Sequence, residues 1–299
     1  MKTKLIVVIG PTASGKSGLA VKLAHKYNGE IVSADSRQVY RELNIGTGKI
    51  TKKEMKGVRH FCLDIANPKR QFSAAEYEKE GLKALKEILK NNKIPIVCGG
   101  TGFYIDALLG IKAFPDVPPN IQLRKKLSSK PAAELFQILK TLDRERSRTI
   151  DRHNPRRLTR AIEIAEALGK IPILPHERMP KAKNILFIGL NPPKEKLKKL
   201  IHERLLMRLK KGMIVEAKRL HKDGLSYKRM MELGLEYKYL ALLLQKQITK
   251  EEFLKKLETE IWRYAKRQMT WFQKYRNVKW FKTPEGTEVE RIVSRFLAS

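Results

Sequence analysis

Leu5-Ile-Val-Val-Ile9, followed by Gly10-Pro-Thr-Ala-Ser-Gly-Lys-Ser17, constrains this chain more than any other stretch. Residues 5–9 form an apolar, β-branched run, the pattern of a strand buried on both faces of a parallel sheet. Residues 10–17 fit G-x-x-x-x-G-K-[ST], the phosphate-binding loop, in its required place between a strand and a helix. Gly10 and Gly15 let backbone N–H groups turn inward around phosphate oxygens, and Pro11, Thr12, Ala13 and Ser14 form the arc between them. Lys16 brings a mobile positive charge, and the Ser17 hydroxyl can join a Mg²⁺ shell. The helix opening at Lys16 adds its positive end to the site. The plain alternative is a Gly-rich turn joining strand to helix, but every fixed position of the pattern is filled. The loop predicts a bound polyphosphate without saying which.

The rest of the chain is globular in composition, with 42% hydrophobic and 31% charged residues. At 299 residues it can bury a sizeable core, as one elaborated domain or two. No apolar run approaches ~20 residues, so no membrane span is expected. The N-terminus enters its strand at once, which leaves no room for a signal peptide. Cys62 and Cys98 suggest neither a disulfide framework nor a metal site. A cytoplasmic protein is expected. The net charge is +32, and it is uneven: residues 1–110 hold 19 Lys and Arg against 10 Asp and Glu, and the remainder holds 44 against 21. Such an excess suits a polyanionic partner such as nucleic acid, although solvated basic helix faces would look the same.

Strand and helix alternate over the first part of the chain. A helix to about Lys26 precedes a short strand, Glu30–Ala34. Thr51-Lys-Lys-Glu54 and Ser73-Ala-Ala-Glu76 are capping boxes, the second opening an amphipathic helix over 74–90. Ile94–Cys98 reads as another buried strand. Strands separated by helices predict an α/β fold, a P-loop NTPase-like, doubly wound parallel sheet. The pattern breaks at Pro115-Asp-Val-Pro-Pro119. A basic, helical stretch follows to about Pro180, with Asn154 and Pro155 as the N-cap and first position of a helix closed by Gly169. Asn184–Leu190 returns to strand character. Residues 115–182 are therefore expected to be a helical insertion domain in a core formed by 1–114 and 183–299. The C-terminal region reads as helices, with an edge strand near 278–282.

In open parallel sheets ligands gather at the carboxyl ends of the strands. Two further loops converge there: Ser33-Ala-Asp-Ser-Arg-Gln-Val-Tyr40 and Gly99-Gly-Thr-Gly-Phe-Tyr104. Asp35 is placed to act as a general base or to hold Mg²⁺ through water, or else to cap a helix. The glycines around Thr101 permit close approach of a ligand. Arg156, Arg157 and Arg160 share helix faces, an arrangement that favours phosphates between them over a solvated basic surface. In Trp262-Arg-Tyr-Ala-Lys-Arg-Gln-Met-Thr-Trp-Phe272, aromatic and basic residues alternate, which are the ingredients of single-stranded RNA binding. The same aromatics could equally be core.

Together these segments, with Asn154-Pro-Arg-Arg-Leu-Thr-Arg-Ala-Ile-Glu163 and Tyr264–Phe272, closely resemble the tRNA dimethylallyltransferases, also called tRNA isopentenyltransferases, in order and over nearly the whole chain. That family transfers a dimethylallyl group from dimethylallyl diphosphate to the exocyclic amine of the adenosine beside the anticodon, at tRNA position 37. The resemblance implies that residues 10–17 hold the diphosphate of a prenyl donor, with Mg²⁺ as cofactor and Ser17 among its ligands. Asp35 would take the proton from the adenine amine, and Thr101 would sit between donor and acceptor. Ser36, Arg37 and Gln38 would contact the extruded base and its neighbours. Arg156, Arg157, Leu158, Thr159 and Arg160 would grip the anticodon stem-loop, with Arg124 a further basic contact. A monomer is expected. No Cys follows Cys98, so the zinc-finger extension of eukaryotic relatives is missing and the resemblance is to the bacterial type.

The chain departs from the family pattern in three places. The usual Gly-Thr-Ala-Lys-Pro reads Gly46-Thr-Gly-Lys-Ile50, a usual pair of histidines reads Arg59-His60, and the usual Gly-Tyr-Lys-Glu reads Gly234-Leu-Glu-Tyr237. Two other classes stay open on the residues alone. One is a small-molecule or nucleotide kinase, with Asp35 activating a hydroxyl. The other is a non-catalytic RNA-binding NTPase.

Overall fold

The computed structural model describes residues 4–111, 114–115, 117–172 and 184–299. The chain divides into two units, Met1–Ile111 with Arg178–Ser299, and Lys112–Glu177. The boundary expected at 182–183 lies outside the described residues.

The larger unit runs β1 (Leu5–Ile9), α1 (Lys16–Lys26), β2 (Gly29–Ser33), α2 (Lys52–Met55), β3 (His60–Phe61), α3 (Ala74–Lys90), β4 (Ile94–Gly99) and α4 (Gly102–Leu108) before the insertion. The smaller unit contains α5 (Ile121–Leu127), α6 (Ala132–Leu142), α7 (Arg144–Thr149) and α8 (Pro155–Leu168). The larger unit resumes with β5 (Ile185–Leu190), α9 (Lys194–Lys210), α10 (Met213–Lys222), α11 (Tyr227–Leu233), α12 (Leu235–Leu244), α13 (Lys250–Phe272), β6 (Lys279–Phe281) and α14 (Thr287–Ala298).

The strands form one sheet in the order β3-β2-β4-β1-β5-β6, and every pairing is parallel. This is a mixed α/β, P-loop-like fold. The apolar run of β1 lies at the centre of the sheet with all of its residues buried. Its side chains alternate between the two faces, as strand geometry requires. Leu5, Val7 and Ile9 join a core closed by α3, α9, α10, α12 and α13. Ile6 and Val8 join a second core closed by α1 and α14. Burying one such side chain stabilises the fold by roughly 1.5–3 kcal/mol, so continuous apolar character is what this position selects.

Register places the loops that matter. Ile9 pairs with Gly99 across β1 and β4, and Ser33 pairs with Cys98 across β2 and β4. The chain therefore leaves β1, β2 and β4 at one edge of the sheet, the edge where open α/β sheets bind ligands.

The smaller unit has its own core of Leu127, Leu135, Leu139, Leu158, Ala161 and Ile162. Asn154 caps α8 by accepting from the Arg157 amide, with Pro155 at the first helical position, as the sequence predicts. Glu163 is buried among these helices. Its carboxylate accepts from the Asn120 amide at 2.9 Å, from Arg124 Nε at 2.6 Å and Nη2 at 2.8 Å, and from Arg160 Nη1 at 3.1 Å. The carboxylate neutralises two guanidinium groups that would otherwise repel each other.

Candidate active site

The loop Gly10–Ser17 carries its expected geometry. Gly10 has φ +152°, and a Cβ there would lie 2.7 Å from the Leu190 carbonyl oxygen, so a side chain would displace β5 or the loop. Gly15, left-handed at φ 87°, turns the chain into α1. Lys16 Nζ donates to the Pro11 carbonyl at 3.2 Å, which folds its side chain back across the loop. Burial lowers the Lys16 pKa below the usual lysine value; the neighbouring Arg204 adds to that, while Cys98 and Asp35 oppose it. The Ser14 hydroxyl is buried without a hydrogen-bond partner among the described residues. An orphaned donor and a compressed cation in one loop suit an arriving anion.

Asp35 follows β2 directly. Its Oδ1 accepts from the Arg37 amide at 2.9 Å and the Gln38 amide at 3.3 Å. No helix follows, so Asp35 holds a turn in place of capping a helix. Among the described residues no hydrogen bond reaches Oδ2, which leaves that oxygen able to accept a proton.

Thr101 stands beside it. Its Oγ1 accepts from the Ser36 amide at 3.0 Å and lies 3.3 Å from Ser36 Oγ. Tyr264 lines the same cleft as Asp35. Burial, reinforced by the Asp35 charge, pushes its phenol up to about 12, so it stays protonated at neutral pH.

Lys16, Ser17, Asp35, Arg204, Tyr264 and Gln268 line one cleft of about 590 Å³ including its open mouth. Arg204, on α9, is a residue that the sequence reading missed. Its Nη2 donates to the Gly48 carbonyl at 2.9 Å and its Nη1 reaches Thr12 Oγ1 at 3.4 Å. A single arginine in a basic helix carries no local signal, and only the fold brings it to the phosphate loop.

In the run Trp262–Phe272 the structure takes the core alternative at Trp262 and Phe272. Phe272 is fully buried, and Trp262 packs against the same core beneath Lys198. The Trp271 ring occupies the space where a Cβ on Gly102 would be, 2.2 Å from Trp271 Cδ1. Gln268 accepts from the Thr12 amide and donates to the Gly100 carbonyl, each at 2.8 Å. Helix α13 thus shapes the cleft, and its aromatic spacing is that of a helix packed into the core.

Other expected contacts are partly committed within the protein. Arg37 Nε donates to the Leu233 carbonyl at 2.6 Å, and Gln38 Nε2 reaches the Gly48 carbonyl at 3.4 Å. In the smaller unit Arg156 and Arg157 are exposed, Thr159 is half-buried, and Arg124 and Arg160 are held by Glu163. Leu158 is completely buried in the core of its unit, which corrects its place among RNA-contacting side chains.

The unusual segments also find partners. Lys49 is buried, and its Nζ donates to the Tyr40 carbonyl at 2.7 Å, to Asn44 Oδ1 at 3.0 Å and to Asp64 at 2.5 Å. It is a structural clamp. His60 lines the cleft with Nδ1 tied to the Val58 carbonyl at 2.9 Å, and burial lowers its pKa.

A phosphate loop, a carboxylate and a buried phenol in one cleft narrow the chemistry, and comparison with known proteins fixes the lineage. The IPP transferase family model matches residues 38–275. The chain belongs to that family. A tRNA dimethylallyltransferase of Thermoanaerobacter pseudethanolicus is 39% identical over 303 residues, covering 98% of this chain and 96% of the relative. One from Syntrophus aciditrophicus is 41% identical over 277 residues, covering 92% and 90%. The full-length tRNA isopentenylpyrophosphate transferase of Bacillus halodurans superposes with TM-score 0.74 at 32% identity, covering 99% of this chain and 97% of that one. A eukaryotic dimethylallyltransferase, crystallised acting on tRNA, gives TM-score 0.75 at 25% identity, over 90% of this chain and 70% of the other.

Proposed function

We propose that this chain transfers a dimethylallyl group from dimethylallyl diphosphate to the exocyclic amine of the adenosine at tRNA position 37, releasing diphosphate in the cytoplasm. One observation supports this reading above the others: Asp35 lines the same cleft as the phosphate loop and Arg204. A proton acceptor thereby meets the anion-binding groups at the point where a donor carbon and an acceptor nitrogen must come together.

The donor's diphosphate lies in Gly10–Ser17, with Lys16 and Arg204 neutralising the charge that builds on it as it departs. A bound Mg²⁺ would add to that neutralisation. The Ser17 hydroxyl, exposed at the head of α1, fits such an ion. Among the described residues no cluster of His, Cys, Asp and Glu forms a cage for one, so the diphosphate oxygens and water would complete its shell.

The adenine amine is a weak nucleophile because its lone pair is delocalised into the ring. An allylic carbon compensates, since its bond to oxygen ionises readily once the leaving group is neutralised. The N6 nitrogen bonds to C1 of the donor, the C1–O bond breaks with its electrons on diphosphate, and the N6 proton passes to Asp35 Oδ2. Thr101, held by Ser36, offers its hydroxyl between the two reactants. The base must leave the anticodon stack to reach this point, at a cost of a few kcal/mol. Arg156 and Arg157, exposed on α8, supply phosphate contacts that offset it.

Incubation with labelled dimethylallyl diphosphate, ATP and unmodified tRNA tests the reading. Label in the tRNA supports it, and phosphate transfer from ATP without prenylation refutes it.

A further inference from the structure

The segment Asn44–Ile50 belongs to no helix or strand, so its backbone groups must find other partners. Two of its amides pair within the segment, Gly48 with the Ile45 carbonyl and Lys49 with the Asn44 carbonyl, and further partners come from three helices. The buried Glu216 carboxylate, on α10, accepts from three successive amides: Asn44 at 3.1 Å, Ile45 at 2.7 Å and Gly46 at 2.8 Å. The Tyr237 hydroxyl, from α12, donates to the same carboxylate at 2.8 Å. Its ring fits only because residue 46 is glycine, since a Cβ there would stand 2.7 Å from the Tyr237 oxygen. From α9, buried Arg208 donates to the Gly46 carbonyl at 2.8 Å and to Glu236 at 2.8 Å. Arg204, one helical turn earlier, donates to the Gly48 carbonyl at 2.9 Å.

The strap thus has its amides fixed by an anion at one end and a carbonyl holding Arg204 at the other. Arg204 is the side chain that reaches the phosphate loop at Thr12. We infer that Glu216 is a positioning residue for the diphosphate site, acting through the 44–50 strap and the Gly48 carbonyl to aim Arg204 at the donor. The inference rests on the reading that this cleft holds a prenyl diphosphate. It also gives the unusual Gly234-Leu-Glu-Tyr237 turn a role, because Glu236 and Tyr237 complete the clamp around Gly46.

The physical reason is directional. A carboxylate carries acceptors only, and here it faces backbone donors and a phenol. Glu216→Gln keeps the shape but turns an NH2 group against one of those donors, so the strap must shift. The guanidinium that leans on the strap shifts with it, and a small displacement of a charge-assisted contact is enough to weaken anion binding.

A double-mutant cycle on the full chain tests this, using calorimetry with inorganic diphosphate and steady-state kinetics with dimethylallyl diphosphate and tRNA. Glu216→Gln is expected to raise the Kd for diphosphate and the donor KM by about tenfold, within the coupling range of contacting networks. The tRNA KM should stay within about twofold. In an Arg204→Ala background, Glu216→Gln should add less than about twofold. Tyr237→Phe removes a single bond to the carboxylate and is expected to shift the same quantities in the same direction, by about two- to threefold. It decides the matter if Glu216→Gln does not fold. Effects of Glu216 and Arg204, or of Tyr237 and Arg204, that simply multiply would overturn the inference, as would equal rises in the donor and tRNA KM. A wild-type chain that neither binds diphosphate nor prenylates tRNA would remove the functional reading itself, and the inference with it. An active wild type with multiplicative variants removes the inference alone.

Discussion

Gln268 and Thr12 are joined across the active cleft by a hydrogen bond of 2.8 Å, from the Thr12 amide to Gln268 Oε1. The other end of the same carboxamide donates to the Gly100 carbonyl at 2.8 Å, so one side chain on α13 couples the phosphate loop to the Thr101 loop. A Cβ on residue 100 would lie 2.2 Å from Gln268 Nε2, which is why a glycine stands there.

Gln268→Ala should therefore act on both loops at once. It leaves an amide and a carbonyl without partners, a loss of about 2–4 kcal/mol in all. Urea denaturation should show that loss together with a raised donor KM. Wild-type stability in the variant would mean that the two loops are held by their own turns.

Asp35→Asn removes the proton acceptor while keeping the Oδ1 bonds to the Arg37 and Gln38 amides. Turnover should fall by ~10²–10⁴-fold, with tRNA binding retained. Undiminished turnover would exclude Asp35 as the base.

Lys16 links donor binding to pH. Its pKa is lowered from the ordinary 10.5, first by burial and further by Arg204. As pH rises, Lys16 loses its proton earlier than an ordinary lysine, and the loop loses charge with it. Diphosphate affinity measured by calorimetry should start to fall at a pH below 10.5. Lys16→Arg should move that fall to higher pH. An affinity that holds level up to 10.5 in the wild type would show that Lys16 is not the titrating group.

The smaller unit separates binding from stability. Arg156 and Arg157 are exposed, whereas Arg124 and Arg160 neutralise the buried Glu163. Replacing Arg156 and Arg157 with Ala should reduce the salt slope of tRNA binding by about 1–2. Desolvation alone would raise the Glu163 pKa, but hydrogen bonds from Arg124, Arg160 and the Asn120 amide outweigh it, so the folded value lies below 4.5. A depressed carboxylate contributes stability that is fully present above its unfolded value and is lost as pH falls through the folded one. Protection of α8 amides, corrected for the intrinsic exchange rate, should weaken as pH drops below 4.5, and Glu163→Gln should blunt that dependence. Corrected protection that stays level across that range in the wild type would contradict the pairing.

Much of this was legible in the residues themselves. The β1 run and the loop after it declare the parallel sheet, because only a doubly covered strand is apolar at every position. Capping boxes at Thr51 and Ser73 begin helices where their spacing says. Asp35 and Thr101 were readable because they follow strands directly, where ligands collect. Arg204, Glu216 and Gln268 were harder to read. Each lies on a helix as an ordinary polar residue, and its partner is a backbone group more than a hundred and fifty positions away. Hydrophobic period and local capping carry no information about such pairs. The aromatic run in α13 left two readings open for a related reason, since a ring stacked on a base and a ring packed in a core leave the same mark on a sequence.

The most direct measurement is mass analysis of nucleosides from tRNA lacking the modification, after incubation with the chain, Mg²⁺ and dimethylallyl diphosphate. The account predicts that adenosine at position 37 gains one dimethylallyl group, that free diphosphate appears in equal amount, and that Asp35→Asn suppresses both. Diphosphate released without a modified adenosine, or modification unaffected by Asp35→Asn, would contradict it.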